Sequence, residues 1–298
     1  MPRPPLNDWF VTTHRFARIA PALFVLLWSS GFVGAKFGMP WAPPLHFLVA
    51  RFAAVLAIML PAAPFLRVTW PRNQLLIHTA LAGLLVQTGY FTCVFMAMHT
   101  GLSAGMVALI AGLQPVIVSI FAGLVLRERR NRLQWIGLAL GVAGVFMVIQ
   151  NKLGHGNVTG LGVALAFVAL VSISLGTVYQ KRFCNGVDVV ATSIIQCAVS
   201  LLILLPLAAL FESGSIHWNG QFIFSLLWVV VVVSIGAIGI LLWLLRHGEA
   251  GQVSGLFFLV PPTTAVIAWL CFGDELSAFM LAGIALTMLG VYLASPRN

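Results

Sequence analysis

Apolar residues run along this chain in long blocks rather than in the short alternations of a half-buried sheet. The blocks fall near residues 18–38, 44–66, 75–98, 101–126, 133–151, 160–180, 187–211, 221–245, 250–272 and 278–295. A helix rises ~1.5 Å per residue, so roughly 20 apolar residues cross a ~30 Å hydrocarbon layer. The pattern predicts an all-α integral membrane protein of ten transmembrane helices. All seven acids (Asp8, Glu128, Asp188, Glu212, Glu249, Asp274 and Glu275) fall at or beyond the ends of the blocks. No polar stretch is long enough for a soluble domain, so residues 1–298 read as one transmembrane domain.

Composition strengthens this reading. Hydrophobic residues make up 60% of the 298 and charged residues 8%, more apolar surface than a soluble domain of this size could hide. The net charge of +9 invites a nucleic-acid partner, but its distribution argues against one. With the N-terminus inside, thirteen Lys and Arg fall on the inner side, and only Lys36 and Lys152 on the outer. Arg51 lies within a block. This bias predicts both termini in the cytoplasm. The basic start (Arg3, Arg15, Arg18) leads into a retained first helix, since no small-residue cleavage site follows. Cys93, Cys184, Cys197 and Cys271 lack pairing or metal spacing and read as apolar filler. Asn157-Val158-Thr159 matches a glycosylation sequon by coincidence.

The two halves are related. Pro115 precedes Glu128 as Pro262 precedes Glu275, at an offset of 147 residues. Gly101/Gly248, Leu109/Leu256 and Ile120/Ile267 share that offset. Ser29/Ser174, Gly31/Gly176, Val33/Val178 and Lys36/Lys181 match at an offset of 145. Each half (1–152 and 153–298) holds five predicted helices, an odd number, so the second lies inverted in the membrane. Inverted repeats are a recurring construction of secondary transporters.

Trp28-Ser-Ser-Gly-Phe32, Arg51, Gly101-Leu-Ser-Ala-Gly105, Pro115, Arg127-Glu128-Arg129 and the run Gly137 to Gly144 carry a resemblance. The chain resembles the ten-helix drug/metabolite transporters of the EamA type, and within them the YddG-type exporters of aromatic and hydrophobic amino acids. The resemblance implies a central cavity lined by helices 1, 3, 4, 6, 8 and 9, with helices 5 and 10 at the periphery. The second half departs from the pattern, with Ile173 in place of Trp28 and Gln196 near where Arg51 would repeat.

Several side chains are candidates to line such a cavity: Trp28, Ser29 and Ser30 on the first helix, and Gln87, Tyr90 and Phe91 on the third. Ser174, Thr177 and Tyr179 follow on the sixth, Trp243 on the eighth and Phe257 on the ninth. Aromatic walls with a few hydroxyls and amides suit a flat apolar solute with a polar head. The same residues could serve helix packing. Trp41, Trp70, Trp135 and Trp218 lie near predicted interfaces and read as belt anchors.

Pro115, Pro261 and Pro262 fall inside apolar blocks, where each removes a backbone hydrogen bond. They mark hinges, exposed carbonyls for substrate, or tolerated kinks. Arg51 must pair or snorkel; it could hold a substrate carboxylate or tie helix-end carbonyls, and its presence across the resembled family favours the structural role. Lys36 and Lys181 are either cationic mouths or snorkelling interfacial residues. The glycines at 137, 141, 144, 283 and 290 mark close helix packing or a homodimer seam, so monomer and homodimer both stay open. Glu128 reads as a turn cap near its neighbouring arginines, and neither it nor Glu275 lies at the midplane where an ion-coupling carboxylate is expected.

Enzyme readings fare badly. Gly101-Leu-Ser103-Ala-Gly105 matches a nucleophile elbow, but it opens a membrane helix rather than a strand-turn-helix. No metal or cofactor motif is present among the seven His, so neither is expected. The expected function is a secondary transporter in a bacterial inner membrane, exporting a small, partly apolar metabolite by alternating access. Aromatic or hydrophobic amino acids fit best. Without a midplane carboxylate the transport reads as facilitative, with His46, His78 and His99 the remaining proton carriers. The alternatives are another metabolite or drug on the same fold, or a membrane-embedded enzyme subunit.

Overall fold

The computed structural model describes residues 6–126, 132–152, 159–247, 256–274 and 276–294, and all regular structure among them is helical. Helix α1, Leu6–Gly38, begins well before the first apolar block, because neither Gly nor Pro interrupts residues 6–20. α2 covers Pro44–Ala62, and α3 covers Gln74–His99 with a wide π turn over Leu84–Gly89. One apolar block yields two helices, α4 (Ala104–Ala111) and α5 (Gln114–Leu126). α6 (Arg132–Lys152), α7 (Gly160–Phe183) and α8 (Val189–Phe211) follow. α9 covers 220–247, with π turns over Trp228–Ala237. α10 (Val260–Phe272) follows a 3-10 turn at Phe257–Leu259, and α11 covers Ala278–Ala294. Six stretches among the described residues are long and apolar enough to cross a membrane, and four shorter apolar ones accompany them.

Side-chain caps set several helix starts. Ser103, in the elbow-like motif, accepts from the Met106 amide and so begins α4. Thr159, the sequon threonine, caps α7; Asp188 caps α8; Asn219 caps α9. Each fills one of the orphan donors of a first turn. α2 starts at Pro44 without a local cap. Glu212, from the end of α8, supplies one instead: its carboxylate accepts from the Leu45 and His46 amides at 2.9 and 3.0 Å.

Pro115, Pro261 and Pro262 stand at helix starts rather than within unbroken helices. Pro115 is the second residue of α5, and Pro261 and Pro262 lie in the first turn of α10. A first-turn proline gives up an N–H that has no intrahelical partner anyway. Each therefore restarts a helix after an interruption. Glu128 and Glu275 lie outside the described residues.

α1 packs against α4, α9 and α10. α2 packs on α8, while α7 packs against α3 and α5. α6 and α11 lie along one another, away from α1. Their glycines are what they share. A methyl group at Gly290 would overlap the Gly141 backbone, and one at Gly144 would overlap the Gly283 carbonyl. Thr287 donates to the Gly283 carbonyl at 2.8 Å. The small-residue faces are thus used within the chain.

Polarity is distributed as lipid requires. Leu202, Leu210 and Phe211 are 74–77% exposed, whereas Ser29, Ser174, Ser200, Ser225 and Thr264 are fully buried. The buried Thr92 hydroxyl has no partner, but Ser29, Ser174, Ser200 and Ser225 donate to backbone carbonyls, and Thr88 bonds Ser200 across helices. The π turns are satisfied the same way: Ser172 donates to the Leu85 carbonyl and Ser234 to that of Val229. Where no water reaches, a polar group left without such a partner is costly.

Candidate functional site

Two adjoining pockets lie where α1, α3, α9 and α10 meet. Trp28, Phe32 and Tyr90 line both and form the wall between them. The larger pocket has a volume of about 60 Å³. Its walls come from α1, α2, α3 and α9, and its polar groups are Arg51, Tyr90 and Ser234. The smaller has about 30 Å³ and is closed by Gln114, Pro115, Ile173, Phe257 and Val260.

Arg51 is the unusual member. It is 6% exposed, on α2, and lines the larger pocket. One of its Nη nitrogens donates to Ser234 Oγ at 3.2 Å. Its guanidinium carbon lies 4.0 Å from the centre of the Phe91 ring. Its Nε–H is buried without a partner. The residue neither snorkels nor ties a helix end. Among the described residues no carboxylate lines either pocket; Asp188, Glu212 and Asp274 are engaged elsewhere.

The other candidates divide. Trp28, Tyr90, Phe91, Arg51, Pro115 and Phe257 face the pockets. Phe257 meets Trp28 edge-on at 5.5 Å, and Phe24 supports both rings. Ser29 does not face them: it donates to the Val260 carbonyl at 3.3 Å and fastens α1 to α10. Ser30 accepts from the Trp228 indole at 3.0 Å. Ser174 donates to its own helix, at the Leu170 carbonyl. Gln87 lies in the π turn of α3 and lines neither pocket. Thr177 acts indirectly, accepting from Gln114, which does line the smaller pocket. Pro261 and Pro262 line neither pocket. Trp243 belongs to α9, but its side chain lies outside the described residues.

Both ends of the bundle carry contacts the sequence did not announce. Lys36 binds both oxygens of Asp274, at 3.0 and 3.1 Å, and lies over the Phe272 ring. It is therefore a neutralised pair joining α1 to α10, neither an open mouth nor a lone snorkelling amine. His46 binds Glu212 at 2.9 Å. At the opposite end Tyr179, expected to line the cavity, bonds His78 at 2.7 Å, and Phe183 stacks on that imidazole. Lys181 is exposed at the end of α7. Sequence reasoning missed Ser234, Gln114, Phe32 and Asp274. Only Phe32, within the quoted Trp28–Phe32 motif, carried a legible signal.

Among the described residues no three His, Cys, Asp or Glu gather as a metal site. The pockets offer rings, two hydroxyls, an amide and one cation. They can bind and orient a small solute.

A crystal structure superposes with a TM-score of 0.63 over 93% of this chain and 95% of its own, at 19% identity, and shares the fold. The transporter YvbV of Bacillus subtilis is 30% identical, aligned over 93% of this chain and 90% of its own length. A probable amino-acid metabolite efflux pump of Salmonella typhimurium is 28% identical over 91% of this chain and 92% of its own. A protein of the same name from Escherichia coli matches equally well. The model of the EamA-like transporter family matches twice, at residues 17–150 and 160–295. With nearly the whole chain covered and a pocketed helical bundle beneath it, this protein belongs to the EamA-like transporter family of the drug/metabolite transporter superfamily.

Proposed function

We propose that the chain is a facilitative exporter of aromatic and hydrophobic amino acids, YddG-like in cargo, working by alternating access in a bacterial inner membrane. The observation that carries this is the chemistry of the paired pockets: aromatic walls, few polar groups and one cation. The efflux-pump names of the Salmonella and Escherichia relatives support the direction and the cargo class.

Two inverted halves, 1–152 and 153–298, of five membrane helices each are the architecture we infer. The family model matches once in each half. The interruptions correspond as well. The helix restarts of α5 and α10 lie at Pro115 and Pro262, and the π turns fall in α3 and α9 at closely similar offsets. Both termini are cytoplasmic on this reading, so the Lys36–Asp274 pair closes the outer end and the His78–Tyr179–Phe183 cluster the inner.

The pockets are small for such cargo. Sites for drug-sized ligands span roughly 300–1,000 Å³, so helices must part around Trp28, Phe32 and Tyr90 to admit phenylalanine. The wall between the pockets is then the place where a bound solute passes from one side to the other.

The test is counterflow. Proteoliposomes loaded with unlabelled phenylalanine receive labelled phenylalanine outside, without an ion gradient. Uptake above empty liposomes, competed by tryptophan and leucine but not by aspartate or lysine, is the expected result. No uptake by correctly folded protein would remove this cargo, and uptake only under a proton gradient would remove the facilitative mechanism.

A further inference from the structure

From the unpaired guanidinium we infer that the larger pocket is a carboxylate site, and that its natural ligands are apolar monocarboxylates whose recognition needs no ammonium group. This deepens the cargo reading above and rests on it. Arg51 is 6% exposed and lines the pocket with an Nε–H that meets no acceptor. A membrane-buried charge without a counter-ion is expensive, and its burial marks a functional site by default. Its present partners, the Ser234 hydroxyl and the Phe91 face, bring no negative charge. A carboxylate beside it would fill the Nε donor and neutralise the guanidinium through a planar, two-point contact.

The second half of the inference concerns what the pocket lacks. An α-ammonium also loses its hydration on binding. Among the described residues no carboxylate lines either pocket to receive it. The side-chain acceptors of the larger pocket, where Arg51 lies, are the Tyr90 and Ser234 hydroxyls; Ser234 already donates to the Val229 carbonyl while accepting from Arg51, and the neutral Gln114 amide belongs to the smaller pocket. A buried ammonium without a counter-charge carries an uncompensated desolvation cost. Replacing it by hydrogen, a carbonyl or an acyl amide removes that cost and keeps the anchor. The rings of Trp28, Phe32 and Phe91 are then left to hold a flat or branched apolar body. The ligand class is thus the arylalkanoic or branched acid, the 2-oxo acid or the N-acyl amino acid, with the free amino acid as a weaker member.

Stabilisation of the purified wild-type protein against heat tests this without any variant, because a ligand stabilises in proportion to the logarithm of its binding. The probes are 3-phenylpropionate, phenylpyruvate, N-acetylphenylalanine, phenylalanine, phenylalaninamide and phenethylamine. The three anions should bind at least as tightly as phenylalanine. The amide and the amine should bind roughly tenfold more weakly or worse. Equal binding of phenethylamine and 3-phenylpropionate would overturn the carboxylate anchor yet leave an apolar-cargo pocket standing. Binding of phenylalanine alone would show that the ammonium is recognised, against the inference. A flat response to all six would overturn this site, and phenylalanine counterflow by the same protein would then show that the cargo reading stands without it. Arg51→Gln should abolish the preference for acids over amines; if that variant does not fold, the wild-type ranking still decides.

Discussion

At the residue scale, Glu212 shows how an acid far from the pockets shapes them. It caps α2 from the end of α8, through the Leu45 and His46 amides and the His46 ring. α2 carries Arg51 one and a half turns further on, so the cap helps set where the guanidinium sits. Glu212→Ala leaves two first-turn donors without an acceptor. The expected loss is about 1–3 kcal/mol, read as a lowered melting temperature in detergent, with Glu212→Gln recovering part of it because one oxygen remains. Unchanged melting would show that water replaces the carboxylate. Arg51 itself was legible from its depth in an apolar block. Its partner Ser234 was not: it lies in α9 behind five consecutive valines, and nothing local distinguishes a pocket hydroxyl from helix glue. For the same reason the sequence left Ser29, Ser30 and Ser174 open between cavity lining and helix packing, since a membrane serine satisfies its hydroxyl on whatever partner is near.

Elements tell a similar story about what periodicity conveys. Block length anticipated the six helices that are long and apolar enough to cross a membrane among the described residues, because crossing lipid demands that length. It could not separate α4 from α5, since a proline within an apolar run looks the same in a kink and in a first turn. Nor could it join Lys36 to Asp274, which are 238 residues apart. That pair is partly exposed, with side chains 28% and 22% accessible, and pairs of this kind contribute about 0–1 kcal/mol. A contact so weak can open and close repeatedly. Asp274→Asn should loosen the α1–α10 end without unfolding the protein. A cysteine placed at Ala35, in a background free of native cysteines, should then react faster with a membrane-impermeant maleimide added from the Lys36 side. An unchanged rate would mean that the aromatic packing at that end, not the ion pair, holds it shut.

Over the whole molecule, the division of labour is between helices that meet at the pockets and the α6–α11 pair that does not. The glycine contact between α6 and α11 allows no added methyl at Gly290. Gly290→Val should destabilise by about 1–3 kcal/mol through overpacking, seen as loss of monodisperse protein in detergent. A disulfide across this contact should leave counterflow intact, whereas one between α1 and α10 should stop it. Arrest by both would mean that α6 and α11 also move.

The same glycine contact has a bearing on how the chain is made. α6 emerges from the ribosome before α7 to α10, and its mate α11 only after them. Throughout that interval the backbone of Gly141 and Gly144 that α11 will cover lacks its partner. A premature stop just ahead of α11 would spare every residue around the two pockets and still release an orphaned helix into the bilayer. The quality-control proteases of the membrane should therefore clear such a truncation as fast as one that removes Arg51.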